Sequence, residues 1–315
     1  MKIIFLGTPD FAKNVLEKLI NSKHQVVGVV CQPDKPVGRK QVLTAPPVKE
    51  LALKHNIPVY QFNKIRIEGV EPLKKLNADI MITAAYGQLL SKEILEIAPY
   101  GVFNVHGSLL PKYRGSSPIQ WCLINGETKT GITIMKTDIG MDTGDMILKK
   151  EIEILETDTV SSLFEKLSMI GGDLILKALD LLENGTITYE KQDENKATYF
   201  PMLSKEIAKI DFNKSAKEIV DFVRGLEEWP TAYAILENEV LKVFSAKIFK
   251  DYEPEKKLEE YTNGEIVECS SKKGLIVKVK DGFINFYTIR LGNGKKVDSK
   301  SFANGHNNLQ GKVLG

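Results

Sequence analysis

The first third of the chain switches repeatedly between two hydrophobic periods, and that switching limits the possible folds more than any other feature. Lys2 to Leu6 is a short apolar run ending at Gly7, the make-up of a buried strand. Asp10 to Ile20 then places Phe11, Val15, Leu16 and Leu19 at the spacing of one helix face. The pattern recurs. Gln25 to Cys31 reads as strand, Val48 to Lys54 as helix, Val59 as a short strand, Ala78 to Ala84 as strand, Lys92 to Ile97 as helix and Val102 to His106 as strand. Such alternation predicts right-handed crossovers on a mostly parallel α/β sheet. Ligands of parallel sheets gather at the carboxyl ends of the strands, where Gly7, Tyr86 and His106 fall.

Further on, Thr130 to Lys136 and Met146 to Ile154 read as two strands flanking the loop around Asp142, a hairpin-like excursion. Thr159 opens a long amphipathic helix reaching about Glu183. Residues 185–205 have no strong period and read as a linker. Beyond it come a helix over Ala216 to Leu226 and short strands at Tyr233 to Leu236, Leu241 to Ala246, Gly264 to Cys269, Gly274 to Val279 and Phe283 to Arg290, the spacing of a small barrel or sandwich. Two domains are therefore expected, residues 1–184 and 206–315, joined by 185–205.

Asn104-Val105-His106-Gly107-Ser108-Leu109-Leu110-Pro111 and Gly140-Met141-Asp142-Thr143-Gly144-Asp145 carry the chemistry. The Asn104 amide can donate to a developing oxyanion, the His106 imidazole can move a proton near neutral pH, and the Asp142 carboxylate can fix the imidazole's orientation and protonation. That set runs an acyl transfer without a nucleophilic Ser or Cys. Of four histidines (24, 55, 106 and 306), only His106 lies between an apolar run and a Gly/Pro-bearing loop. Asp142-Thr143-Gly144 also spells an aspartic protease core, but that site needs a second carboxylate in an all-β fold, and no second Asp-Thr-Gly exists here.

Other segments narrow the function. Gly7-Thr8-Pro9-Asp10 stands where a dinucleotide-binding turn would be, yet Pro9 removes a backbone donor and Asp10 adds negative charge, which argues against a nicotinamide or flavin dinucleotide. Asp10 is expected to cap the following helix. The stretch Gln32 to Pro47 is too proline-rich for helix and reads as a long functional loop, with Lys35, Arg39 and Lys40 to meet phosphates and Val42 and Leu43 to touch bases. Lys272, Lys273, Lys278, Lys280, Arg290, Lys295, Lys296 and Lys300 form a second basic set. The net charge of +2 means that a polyanion must be held by such local patches. Three scattered cysteines argue for free thiols, against disulfides and zinc, and the run Ile3 to Leu6 is too short for a signal peptide or membrane helix, so a cytoplasmic protein is expected.

Together these residues resemble the methionyl-tRNA formyltransferases, a branch of the folate-dependent formyltransferase family. The resemblance rests on Phe5 to Ala12, the Gln-Pro-Asp-Lys-Pro-x-Gly-Arg loop, Ala85-Tyr86-Gly87, Asn104 to Pro111 with Tyr113-Arg114-Gly115 and Pro118-Ile119-Gln120, Gly131-Ile132-Thr133, Gly140 to Asp145, and Ala197-Thr198-Tyr199 with Leu203 to Glu206. Trp121-Cys122 and Phe200-Pro201-Met202 depart from the pattern. The resemblance implies a Rossmann-like formyltransferase domain followed by an OB-like barrel. It implies 10-formyltetrahydrofolate as formyl donor, no metal, initiator methionyl-tRNA as acceptor, and catalytic roles for Asn104, His106 and Asp142. It also implies a folate segment over Ser108, Leu109, Leu110 and Pro111, with Tyr86, Gly87, Ile139, Gly140 and Met141 beside the pteridine, and tRNA contact by Arg39, Lys35 and Lys40. A monomer without membrane association is expected. Formyl transfer to an amino sugar nucleotide and a non-catalytic RNA-binding protein remain the alternatives, with glycinamide ribonucleotide disfavoured because Pro9 and Asp10 occupy the phosphate-binding turn.

Overall fold

Ile3 to Leu6 carry no polar alternation, so strand β1 (Lys2–Gly7) must be covered on both faces, and it lies inside a seven-stranded sheet. The computed structural model describes every residue except Arg39, Lys40, Asp251, Glu255 and Asn307. The other strands of this part are β2 (Gln25–Cys31), β3 (Lys35–Val37), β4 (Val42–Thr44), β5 (Val59–Gln61), β6 (Ile80–Ala84), β7 (Val102–His106), β8 (Arg114–Gly115), β9 (Lys129–Lys136), β10 (Met146–Glu153) and β11 (Tyr199–Phe200). The sheet runs β10-β9-β7-β6-β1-β2-β5, parallel from β5 to β7 and antiparallel at β9 and β10. The expected parallel sheet with a hairpin excursion is therefore the observed one.

The helix Asp10–Ile20 buries Phe11, Ala12, Val15, Leu16 and Leu19, as its spacing requires. Its cap is Pro9 without a side-chain bond; Asp10, expected as the cap, is the first helical residue, where its charge suits the positive helix end. The proline-rich stretch is not plain loop. It folds as a two-stranded ribbon, with Lys35 opposite Thr44 and Val37 opposite Val42, and every residue of both strands is exposed. Arg39 and Lys40 lie outside the described residues.

Contacts divide the chain into two units, Met1–Pro118 with Lys129–Glu153 and Phe164–Phe200, and Ile119–Thr128 with Ile154–Leu163 and Pro201–Gly315. The second unit thus takes in two short segments that precede the rest of it in the sequence. Arg224 explains part of this: its guanidinium donates to the carbonyls of Leu155 at 2.8 Å and Asp158 at 3.0 Å. Residues 190–200, read as linker from their missing period, belong to the first unit, where β11 pairs in parallel with β8. Aperiodic sequence here reflects backbone pairing and side-chain bonding in place of an apolar face. Trp121 and Pro201, from the two departing segments, meet through a 2.9 Å bond from the indole Nε1 to the proline carbonyl.

In the second unit, β12 (Tyr233–Leu236), β13 (Glu239–Ile248), β14 (Ile266–Ser270), β15 (Gly274–Val279) and β16 (Gly282–Leu291) form a curled antiparallel sheet in the order β12-β13-β16-β15-β14, with β17 (Val297–Asp298) on β16. Residues 311–315 join its two edges: Ile235 exchanges backbone bonds of 2.7 and 2.9 Å with Gly315, and Ile266 N donates to Lys312 at 2.8 Å. This is the OB-like half-barrel, filled by Leu241, Val243, Leu275, Val277 and Phe286 among others. Lys278, counted in the basic set, is buried and donates to Asn263, so it contributes nothing to a basic surface. The reason is that β15 is buried on both faces along its whole length.

Cys31 and Cys122 are buried thiols outside any disulfide, and Cys269 is partly buried. Burial pushes the Cys31 thiol up to about 11, so little reactive thiolate exists near neutrality. At pH 8 a thiol reagent followed by mass spectrometry should leave Cys31 unmodified in the folded protein and modify it on unfolding.

Candidate active site

Strand β7 has two faces with different duties. Phe103 and Val105 are buried, and Val105 packs so closely against the helix Val160–Glu183 that a Cβ on Gly171 would come within 2.7 Å of it. Asn104 and His106, two residues apart, share the opposite face. Both lie at the carboxyl end of the strand, the edge expected to hold ligands.

The parallel register sets Thr83 of β6 beside Asn104. The buried Thr83 hydroxyl donates to Asn104 Oδ1 at 3.0 Å, which fixes the amide's orientation and leaves its NH2 free to donate. His106 is only 5% exposed, and its Nε2 lies 2.9 Å from the Tyr113 carbonyl. A carbonyl only accepts, so Nε2 carries a proton and Nδ1 is the nitrogen that gains or loses one. Nδ1 faces Asp142 Oδ1 at 3.7 Å, beyond hydrogen-bond length. Ring orientation is thus held by Tyr113, where the sequence suggested Asp142.

Asp142 sits in the loop between β9 and β10 with φ +53°, and its Oδ2 accepts a 2.8 Å bond from Gly115 N. That donor is available for a simple reason. Arg114 N and Ser116 N point to the other side, donating to Thr198 O at 2.8 Å and Phe200 O at 3.2 Å, so the alternating strand leaves Gly115 N facing the loop. Gly115 has φ +95°, and a Cβ there would stand 2.6 Å from Phe200 O. No other residue fits without moving β11.

The remaining expected residues divide. Ser108 is fully buried and donates to Lys112 O at 2.7 Å, while Leu110 packs with Met135 and Met146; both build the turn from inside. Leu109 and Pro111 are half-buried, and Gly87, Ile139, Gly140, Met141 and Lys35 are exposed. The Tyr86 side chain joins the apolar core, where burial raises its phenol, and only its carbonyl faces the strand ends, accepting from Thr8 Oγ1 and Gln32 Nε2 at 3.1 Å each. Ile139 and Met141, 78% and 53% exposed on the loop that carries Asp142, present bare hydrophobic surface beside polar backbone. Among the described residues one metal-type cluster exists, His24 with Asp180 and Glu183, at the amino edge of the sheet, and its carboxylates are engaged by Lys23.

Sequence reasoning missed the supporting residues. Thr83 was concealed in an apolar strand, and only the β6–β7 register reveals it. Arg114 stood inside a quoted motif, but nothing in the sequence marked it as fully buried and paired with Glu194, at 2.6 and 2.9 Å, from the supposed linker. That fork holds the Glu194 carboxyl below the usual carboxylate range.

Residues 1–179 match the family model for formyl transferase, and residues 202–307 match the model for the formyl transferase C-terminal domain. The chain belongs to the formyl transferase family. Methionyl-tRNA formyltransferase of Ruminiclostridium cellulolyticum is 43% identical over 316 residues, covering 100% of each chain, and that of a Sulfurihydrogenibium species is 46% identical over 97% of each. Among solved structures, a methionyl-tRNA formyltransferase from Clostridium thermocellum has a TM-score of 0.58 at 24% identity, covering 80% of this chain and 95% of its own. The sugar 3N-formyl transferase WlaRD, solved with dTDP and 5-N-formyl-THF, has a TM-score of 0.66 at 22% identity, covering 94% and 98%. At such identities both structural likenesses speak for the formyl transferase fold alone.

If the Thr83 hydroxyl aims the Asn104 amide, Thr83→Val should lower kcat by up to about 100-fold, the low end of what losing an oxyanion donor costs. Steady-state kinetics with a melting curve checks that the fold survives.

Proposed function

We propose that this formyl transferase moves a formyl group from 10-formyltetrahydrofolate to the α-amino group of initiator methionyl-tRNA, with Asn104, His106 and Asp142 as its catalytic groups. The observation that carries the acceptor is full-length likeness, through both domains, to curated relatives named methionyl-tRNA formyltransferase at 41–46% identity.

In this reading the neutral amine attacks the formyl carbon. The Asn104 NH2, aimed by Thr83, donates to the oxygen as it becomes negative. His106 takes up at Nδ1 the proton that the attacking nitrogen loses as its bond to the formyl carbon forms, and the Asp142 charge 3.7 Å away stabilises the cation. The same Nδ1 then passes that proton, through water, to the folate nitrogen as its bond to the formyl carbon breaks and the carbonyl re-forms. Leu109, Pro111, Gly87 and the 139–141 loop residues line the donor's place; Ser108, Leu110 and Tyr86 support it from within. Lys35, Arg39 and Lys40 meet the acceptor's phosphates.

Incubating charged initiator and elongator methionyl-tRNA with formyl donor, followed by mass analysis, should show formylation of the initiator alone; formylation of an amino sugar nucleotide instead would overturn the acceptor. His106→Ala and Asp142→Asn should each lower kcat about 100- to 1000-fold. Arg39→Ala should weaken tRNA use and reduce the salt slope by about 1 while leaving folate affinity unchanged.

A further inference from the structure

Asp142 is held by more than its own loop. Ile139, Gly140 and Met141 before it are exposed, and bonds within the loop, such as Thr143 Oγ1 to Asp138 Oδ1 at 2.7 Å, do not reach its backbone. The grip on that backbone comes from Gln192, fifty positions later in the chain. Its Nε2 donates to the carbonyls of both Asp142 and Gly144, each at 2.8 Å. Its Oε1 accepts from Arg114 Nε at 2.9 Å. A guanidinium only donates, so Arg114 dictates which end of the amide faces the loop. Arg114 is in turn immobile: fully buried, forked onto Glu194 and bonded to the Tyr199 hydroxyl.

The two holds on Asp142 therefore share one origin. Its carboxylate is gripped by Gly115 N, next to Arg114 in β8, and its carbonyl by Gln192, which Arg114 orients. We infer that Gln192 is a positioning residue for formyl transfer: braced by Arg114 and Glu194, it sets where the Asp142 carboxylate stands relative to His106. This rests on the catalytic role proposed above for Asp142, and assigns the aperiodic segment before the second unit to the catalytic machinery.

Gln192 is half-buried and lies outside the apolar core, so substitutions there should leave the protein folded. Gln192→Ala removes both bonds to the loop. Gln192→Glu keeps the length and the acceptor for Arg114 but donates nothing. Each should lower kcat about 10- to 100-fold, the cost of a misplaced catalytic group, with KM for both substrates little changed. In an Asp142→Asn background, Gln192→Ala should cost little more, because both changes act on one group. Independently of turnover, amide hydrogen exchange over 138–145 in the free protein should quicken in Gln192→Ala. Unchanged kcat in both single variants, full additivity with Asp142→Asn, or unaltered exchange in this loop would each overturn the role. The exchange arm needs no substrate, so its failure is separate from any failure of the acceptor assignment, which the wild-type assay reads.

Discussion

The two-residue alternation of β7 is the constraint on which the site depends. One face must be apolar, because Phe103 and Val105 close the core against the helix Val160–Glu183, and the approach is tight enough to require Gly171. The other face is then available to Asn104 and His106 in fixed orientation, on a strand that is hydrogen-bonded on both sides by β6 and β9. Catalytic groups on such a strand inherit the rigidity of the sheet. A slip of one residue would turn the imidazole into the apolar core and bring Val105 to the side now held by His106, so the register of the sheet and the chemistry are fixed together.

Asp142 is built differently. It sits on an exposed loop with positive φ, and no element of regular structure carries it. Its placement depends on a short parallel ribbon, β8 with β11, whose outward N–H at Gly115 finds the carboxylate. Two of the three candidate groups therefore stand on a strand inside the sheet and one on a loop held by hydrogen bonds. The loop-borne one is the more sensitive to changes far along the chain.

This difference explains what could be read in the sequence. Strand and helix periods located the parallel sheet, the β9–β10 excursion and the short strands of the half-barrel, because each is written in local apolar spacing. Asn104, His106 and Asp142 stood out because glycines and a strand end surround them. Arg114, Gln192 and Glu194 did not, since Arg114 lies 78 and 80 positions from the other two and all act through polar bonds, which leave no period. Local cues also misplaced a few residues. Asp10 has the right chemistry for a cap, but Pro9 takes that place; Lys278 looks solvated in a basic run, but its strand is buried throughout.

The 3.7 Å gap between Asp142 and His106 has a mechanistic consequence. A short hydrogen bond would lock a proton on Nδ1 and make the ring a fixed donor. At the observed separation the carboxylate faces the ring without tying up the nitrogen, which leaves Nδ1 open to the proton transfer proposed for it. Orientation, the task usually given to the carboxylate of such a pair, is taken over by the Tyr113 carbonyl on Nε2. Separating the two tasks leaves the distance from Asp142 to the ring as an adjustable quantity. In this protein that distance is governed by the residues that hold the loop.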